Sequence, residues 1–127
     1  MRISAGATPT HDPAYCHCNH CRLFHGAPFA LEAGWSLDDC EISGGDTTIY
    51  RSSKRFERHR CAACGTPCAG IHRGLKAAFL PTTLLTEAGA ARLPFLLQPK
   101  IHLFYSRRIV GDLFATDGLP KYDTFPP

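Results

Sequence analysis

The run Cys16-His17-Cys18-Asn19-His20-Cys21 constrains this chain more than any other stretch. Around a tetrahedral zinc ion, thiolate sulfurs sit about 2.3 Å from the metal and therefore roughly 3.8 Å from one another. Residues two apart on an extended chain project to one face, which lets Cys16 and Cys18 converge. Residues three apart on a helical turn also share a face, which brings Cys18 towards Cys21. A strand that becomes a helical turn across Cys18 thus collects three sulfurs at one point, and no disulfide pairing uses all three. We read the cluster as a zinc site. Structural zinc sites fill four positions with protein ligands, whereas catalytic ones keep one for water or substrate. His20 and His25 are the nearest candidates for a fourth ligand. The reading preferred here leaves that position open and assigns His17, His20 and His25 to the polar surroundings.

The other cysteines bear on the compartment. Seven in 127 residues is an odd number and falls short of the roughly 8–10% that marks a disulfide scaffold. No apolar signal segment is visible in Met1 to Gly6, and no apolar run approaches the roughly 20 residues that span a bilayer. A soluble, cytoplasmic protein without a membrane partner is expected, in a reducing setting where clustered cysteines hold metal. The length fits one domain over residues 1–127. A net charge of +3 is too small to imply a nucleic-acid partner. Lys54, Arg55, Arg58 and Arg60 are interleaved with Glu57 and form no long basic run, so a charged strand face is expected there.

Ten prolines and eleven glycines are scattered along the chain, which favours many short elements joined by tight turns. Residues Met1 to Tyr15 read as a strand followed by a loop broken at Pro9 and Pro13. One helical turn over Cys21 to His25 ends at Gly26. Alternation places Phe29, Leu31 and Ala33 on one side of a half-buried strand. Further short strands are expected over Glu41 to Ser43, Thr47 to Arg51 and Arg55 to Arg60, with Gly44-Gly45-Asp46 as a hairpin turn between the first two. Ala69 to His72 and Lys76 to Leu80 flank Gly74 in the same manner. Leu84 to Arg92 is undecided by periodicity. Lys100 to Ser106 predicts a strand with Ile101, Leu103 and Tyr105 on one face. The segment from Asp117 to Pro127 reads as irregular but docked through Leu119, Tyr122 and Phe125. The chain as a whole reads as mainly β.

Cys61-Ala62-Ala63-Cys64-Gly65-Thr66-Pro67 has the form of a zinc knuckle. Its spacing closes a tight turn, and Gly65 can take the positive φ that points backbone amides at the sulfurs. A knuckle supplies two ligands and needs two more, while Cys40 and Cys68 can equally be small core residues. A redox role for Cys61 and Cys64 lacks the surrounding βαβ pattern.

Several pieces taken together carry a resemblance: Tyr15 to Arg22, Gly26-Ala27-Pro28-Phe29, Tyr50-Arg51-Ser52-Ser53, Cys61 to Pro67, Lys100-Ile101-His102, and Asp117-Gly118-Leu119-Pro120-Lys121-Tyr122. In this order and spacing the chain resembles the glutathione-dependent formaldehyde-activating enzyme family, which also contains centromere protein V. The resemblance implies an Mss4-like zinc-binding fold of short antiparallel strands with few short helices, and two metal sites. It puts Cys16, Cys18 and Cys21 on a catalytic zinc site, and Cys61 and Cys64 on half of a structural one. The other half in the family is a Cys-x-Cys-Gly on the first strand, which is absent here. Met1-Arg2-Ile3-Ser4 matches the residues that follow it. Either the natural start lies further upstream or the structural site has been lost, and the intact downstream motifs favour the first. Ile109 stands where relatives often carry tryptophan.

The activity implied is that of a carbon–sulfur lyase of the S-hydroxymethylglutathione synthase type. It would add the thiol of glutathione, or of another small thiol, to formaldehyde or another small aldehyde. Three protein thiolates outweigh the zinc charge, which suits an electron-rich, nucleophilic sulfur better than activation of the carbonyl. Arg22, His20 and His25 are the groups near enough in sequence to offset charge or meet glutathione carboxylates. The alternative is a non-catalytic zinc module that binds protein or nucleic acid.

Overall fold

The computed structural model describes residues 2–41, 43, 45–85 and 93–127. The described residues include ten short strands: β1 (Arg2–Ile3), β2 (His11–Cys16), β3 (Ala30–Ser36), β4 (Cys40–Glu41), β5 (Thr47–Ser53), β6 (Phe56–Cys61), β7 (Pro67–His72), β8 (Ala77–Pro81), β9 (Ile101–Leu103) and β10 (Lys121–Tyr122). Among the described residues α1 (Asn19–His25) is the one α-helix, and it is far too short to cross a membrane. Eight strands form a sheet in the order β10-β9-β2-β3-β8-β7-β6-β5, and β1 pairs with β4 beside it. The fold is mainly β, as the sequence implies. Most pairings are antiparallel, but β9 runs parallel to both β2 and β10.

Strand pleating sorts the side chains into two layers. Cross-strand partners share a face, so the register aligns Ala14, Glu32, Gly34, Phe79, Gly70 and Arg58 on one side. The opposite side carries Ala33, Trp35, Ala69, Ile71, Ala78 and Leu80, a buried apolar cluster covered by Ile3, Leu37, Cys40 and Leu85. Removing those side chains from water is the main source of cohesion, at about 1.5–3 kcal/mol for each large one. With the apolar core on the back of the sheet, the front face is left to hold a site.

Several local expectations change. Pro13 lies inside β2 rather than breaking it, because the register shifts between His11 and Ala14. A bulge there needs no amide from proline, while the Pro13 carbonyl still accepts from Lys100 N at 2.8 Å. Cys40–Glu41 pairs with Arg2–Ile3 and Thr47–Ser53 with Phe56–Cys61, while the hairpin turn expected through Gly44-Gly45-Asp46 falls partly outside the described residues. Ile42 and Gly44 lie outside the described residues. β9 stops at Leu103 because Phe104 turns into the left-handed region at φ 54 and a 3-10 turn over Tyr105–Arg107 follows. Tyr105 therefore leaves the face of Ile101 and Leu103 and packs on His17 and His102. Leu84 and Leu85 finish a 3-10 turn over Thr82–Leu85, and residues 86–92 of that stretch lie outside the described residues. The segment after Asp117 docks as expected, with β10 added to the sheet, Tyr122 packed on the cluster of Ile101 and Leu103, and the more exposed Phe125 resting against Phe104.

Candidate metal centre and its cavity

β2 ends at Cys16, and the chain turns into α1 through Cys18. Cys18 is the N-cap in extended conformation, and its Sγ accepts the Cys21 amide at 3.3 Å. The helix runs two turns rather than the expected one, and closes at Gly26, which takes φ 61. This strand-to-helix corner brings the sulfurs of Cys16, Cys18 and Cys21 within 4.8 Å of one another, all three buried and none in a disulfide. A buried, convergent set of three thiol sulfurs suits a thiophilic ion, and the cluster could hold a metal.

The protonation of the cluster fits that use. Hydrogen bonds with Cys16 and Cys21, then the Cys21 amide and Arg58, pull the Cys18 thiol well below its ordinary range against the cost of burial. Cys16 is pushed up, first by its hydrogen bond with Cys18 and then by burial. Cys21 is pushed up by Cys16 and Cys18, by burial and by the Glu32 carboxylate. A thiol held low at such a corner shifts in the direction that a metal-ligating sulfur needs.

Two charged side chains from the sheet reach the sulfurs. Arg58 on β6 directs Nη1 and Nη2 at Cys21 Sγ, each at 3.7 Å, while its Nε donates to Ser52 Oγ at 3.1 Å. The guanidinium is 4% exposed and sits 4.5 Å from the Phe56 ring centre and 5.2 Å from that of Phe24. Among the described residues no carboxylate pairs with it. Glu32 on β3 is also buried; it pairs with His25 Nε2 at 2.8 Å and lies 3.8 Å from Cys21 Sγ. The cluster opens on a cavity of about 430 Å³ lined by Glu32, Ser52, Arg58 and a set of phenylalanines.

The remaining candidates fall in different places. Cys61 and Cys64 lie at the end of β6 and in the turn after it, half-buried and exposed respectively. Cys64 Sγ contacts Thr66 Oγ1 at 3.1 Å, and that hydrogen bond leads the causes that hold its thiol below the ordinary value. Among the described residues no further donor joins this pair in a metal-sized group. Cys40 packs against the back core, and Cys68 Sγ donates to the Thr66 carbonyl at 3.2 Å. His20 is exposed at the cavity edge. Arg22 is tied to the His17 carbonyl and to Asn19, away from the cavity.

Sequence reasoning missed Arg58 and Glu32. Arg58 was expected on a charged face with Lys54, Arg55 and Arg60; Lys54 and Arg55 are exposed, Arg60 is half-buried, and Arg58 is inside. The available signal was the strand period, which puts Arg58 in line with Phe56 and opposite Gly70. Behind the cluster a further chain of contacts emerges. His17 Nε2 meets His102 Nδ1 at 2.9 Å, His102 Nε2 meets Asp117 Oδ2 at 2.6 Å, and Lys121 Nζ meets Asp117 Oδ1 at 2.7 Å. Both rings are fully buried. Burial first, then His102, lowers the His17 pKa to about 4, so that ring is neutral near pH 7.

A sequence profile of the glutathione-dependent formaldehyde-activating enzyme family matches residues 1–107. The chain belongs to this family. No curated protein matches it. Membership in the glutathione-dependent formaldehyde-activating family points to formaldehyde-activating or related chemistry, and its theme of glutathione and formaldehyde coincides with a cavity that ends on three sulfurs.

Proposed function

We propose that Cys16, Cys18 and Cys21 hold a zinc ion, and that the chain catalyses reversible addition of glutathione or another small thiol to formaldehyde or another small aldehyde. The observation that carries this reading is the convergence of three buried sulfurs at one end of an open cavity, beside an arginine that has no carboxylate partner among the described residues. Bound by thiolates, zinc lowers the pKa of a further thiol so that it stays ionised at neutral pH.

The chain's own residues supply the rest. Arg58 places a fixed positive charge where sulfur anions gather, and its own burial lets that charge act strongly. Ser52 holds the guanidinium in place through Nε. Glu32, braced by His25, limits the positive field on the other side of Cys21. The phenylalanine rings give the open cavity an apolar lining near the sulfur end. In the net reaction a carbon–sulfur bond forms, and the proton lost by sulfur ends on the former carbonyl oxygen. Nothing is oxidised or reduced.

Cys61 and Cys64 belong in this reading to one half of a second, structural zinc site. Residues 1–127 form one domain, and the seven free thiols suit the reducing cytoplasm. A purely protein- or nucleic-acid-binding module would leave the buried Arg58 and the cavity without a task. NMR exchange spectroscopy of a thiol–formaldehyde mixture tests the activity. The exchange rate rises with zinc-loaded protein, and an unchanged rate contradicts the catalytic reading.

A further inference from the structure

The walls of the cavity say more about substrate than its sulfur end does. Phe79 on β8 and Phe56 on β6 lie over the sheet with ring centres 6.2 Å apart, and the chain makes room for each with a glycine. A Cβ on Gly34 would stand 2.9 Å from Phe79 Cε1, and one on Gly70 would stand 2.5 Å from Phe56 Cε1. Phe125 comes back from beyond β10 to within 6.4 Å of Phe79 and 5.7 Å of Phe104. Phe104 keeps φ 54, a conformation that costs a residue with a Cβ and persists only where surrounding structure enforces it. Four aromatic rings, with Ile101 and Leu103, therefore make up much of the cavity wall, and Phe56 also lies under the Arg58 guanidinium.

A one-carbon aldehyde leaves the aromatic walls to be matched by the thiol, and the charges of glutathione do not match apolar walls. Formaldehyde is close in size to a water molecule, whose share of liquid volume is about 30 Å³, and the cavity measures about 430 Å³. Glutathione brings two carboxylates and an ammonium group. Among the described residues the one guanidinium on the cavity wall is Arg58, already turned to Cys21 and Ser52. Glu32, buried on the same wall, would repel a carboxylate placed beside it, while Asp12 at the rim is paired with Lys100 at 3.0 Å, and His11, His20 and His72 add to the polar lining. An uncharged ring avoids the Glu32 penalty, and aromatic walls favour it through edge and stacked contacts.

We propose that the cavity accepts a carbon–sulfur adduct carrying an aryl group, contributed by an arylalkyl thiol or by an aromatic aldehyde. This rests on the thiol-addition reading above and names its substrate class. For an aryl aldehyde the balance is unchanged: carbon–sulfur bond formed, sulfur proton transferred to the carbonyl oxygen, no redox partner required.

Calorimetry and saturation-transfer NMR on the zinc-loaded full chain separate the two sources. In the thiol arm, phenylmethanethiol binds at least tenfold more tightly than ethanethiol or glutathione. In the aldehyde arm, with ethanethiol present, benzaldehyde saturates at a concentration at least tenfold lower than acetaldehyde. A preference in either arm supports the proposal and identifies the source of the ring. Phe125 is 41% exposed, so Phe125→Ala is expected to keep the fold, and it reduces the preference at least threefold. Equal binding of aryl and alkyl probes in both arms overturns the substrate class while leaving the thiol site standing, as does a preference untouched by Phe125→Ala. If ethanethiol and every other thiol give no heat, the thiol-addition reading falls and this proposal falls with it.

Discussion

Arg58 points both terminal nitrogens of its guanidinium at the sulfur of Cys21, each 3.7 Å away. This geometry makes Arg58 the fixed counter-charge of the thiolate cluster. Replacing it with methionine keeps bulk and removes charge, so a bound thiol loses part of what keeps it ionised. The pH midpoint of thiol binding, followed by calorimetry, is expected to rise by about one unit in Arg58→Met, equivalent to about 1.4 kcal/mol. Arg58→Lys recovers only part of this, because lysine cannot reach Cys21 and Ser52 with one planar fork.

Glu32 couples the helix to the sheet through His25. Glu32→Gln keeps the shape and removes the charge that strengthens the 2.8 Å contact, so stability falls by about 1–2 kcal/mol. A thermal melt should show the midpoint lower by about 3–8 °C. An unchanged midpoint means the pair contributes little.

Asp117 gives a pH-dependent case. Despite desolvation, which raises it, hydrogen bonds from Lys121, His102 and the Leu119 amide hold its carboxyl below the ordinary value of 3.8. A group with a depressed folded pKa stabilises the fold fully above its unfolded pKa, here about pH 4, and loses that contribution as pH falls through the folded pKa. Asp117→Asn is therefore expected to cost about 1–2 kcal/mol at pH 7. In denaturant titrations the gap between variant and parent narrows below about pH 4. A gap that stays constant across that range contradicts the assignment.

Much of this architecture is readable from residue spacing. The period of two around Ile101 and Leu103 places both on the cavity face, and Cys-x-Cys-x-x-Cys predicts the strand-to-helix corner that the structure contains. Gly26 ends the helix for the reason its sequence position suggests. The failures share one cause. Arg58 and Glu32 carry charges that local pattern assigns to solvent, and only the stacking of β6, β7, β8 and β3 turns those positions inward. The strand through Pro13 depends on a bulge, and the pairing of Cys40–Glu41 with Arg2–Ile3 depends on a partner far along the chain. The His17–His102–Asp117 connection joins residues up to 100 positions apart. Long-range pairing of this kind leaves no periodic trace.

Gly70 tests the floor of the cavity. An added methyl group at Gly70→Ala must lift the Phe56 ring, with overpacking at about 1–3 kcal/mol. The Phe56 ring also contacts the Arg58 guanidinium, so thiol binding should weaken along with stability. Urea denaturation and calorimetry on the same sample read both effects, and a neutral substitution means that Phe56 has room to move.

The central claim is a zinc ion on Cys16, Cys18 and Cys21, and metal analysis of protein expressed with zinc available tests it most directly. The account predicts at least one zinc per chain, lost from this site in Cys18→Ser and kept in Cys40→Ser. Protein that carries no zinc, or a Cys18→Ser variant that retains the full complement, contradicts it.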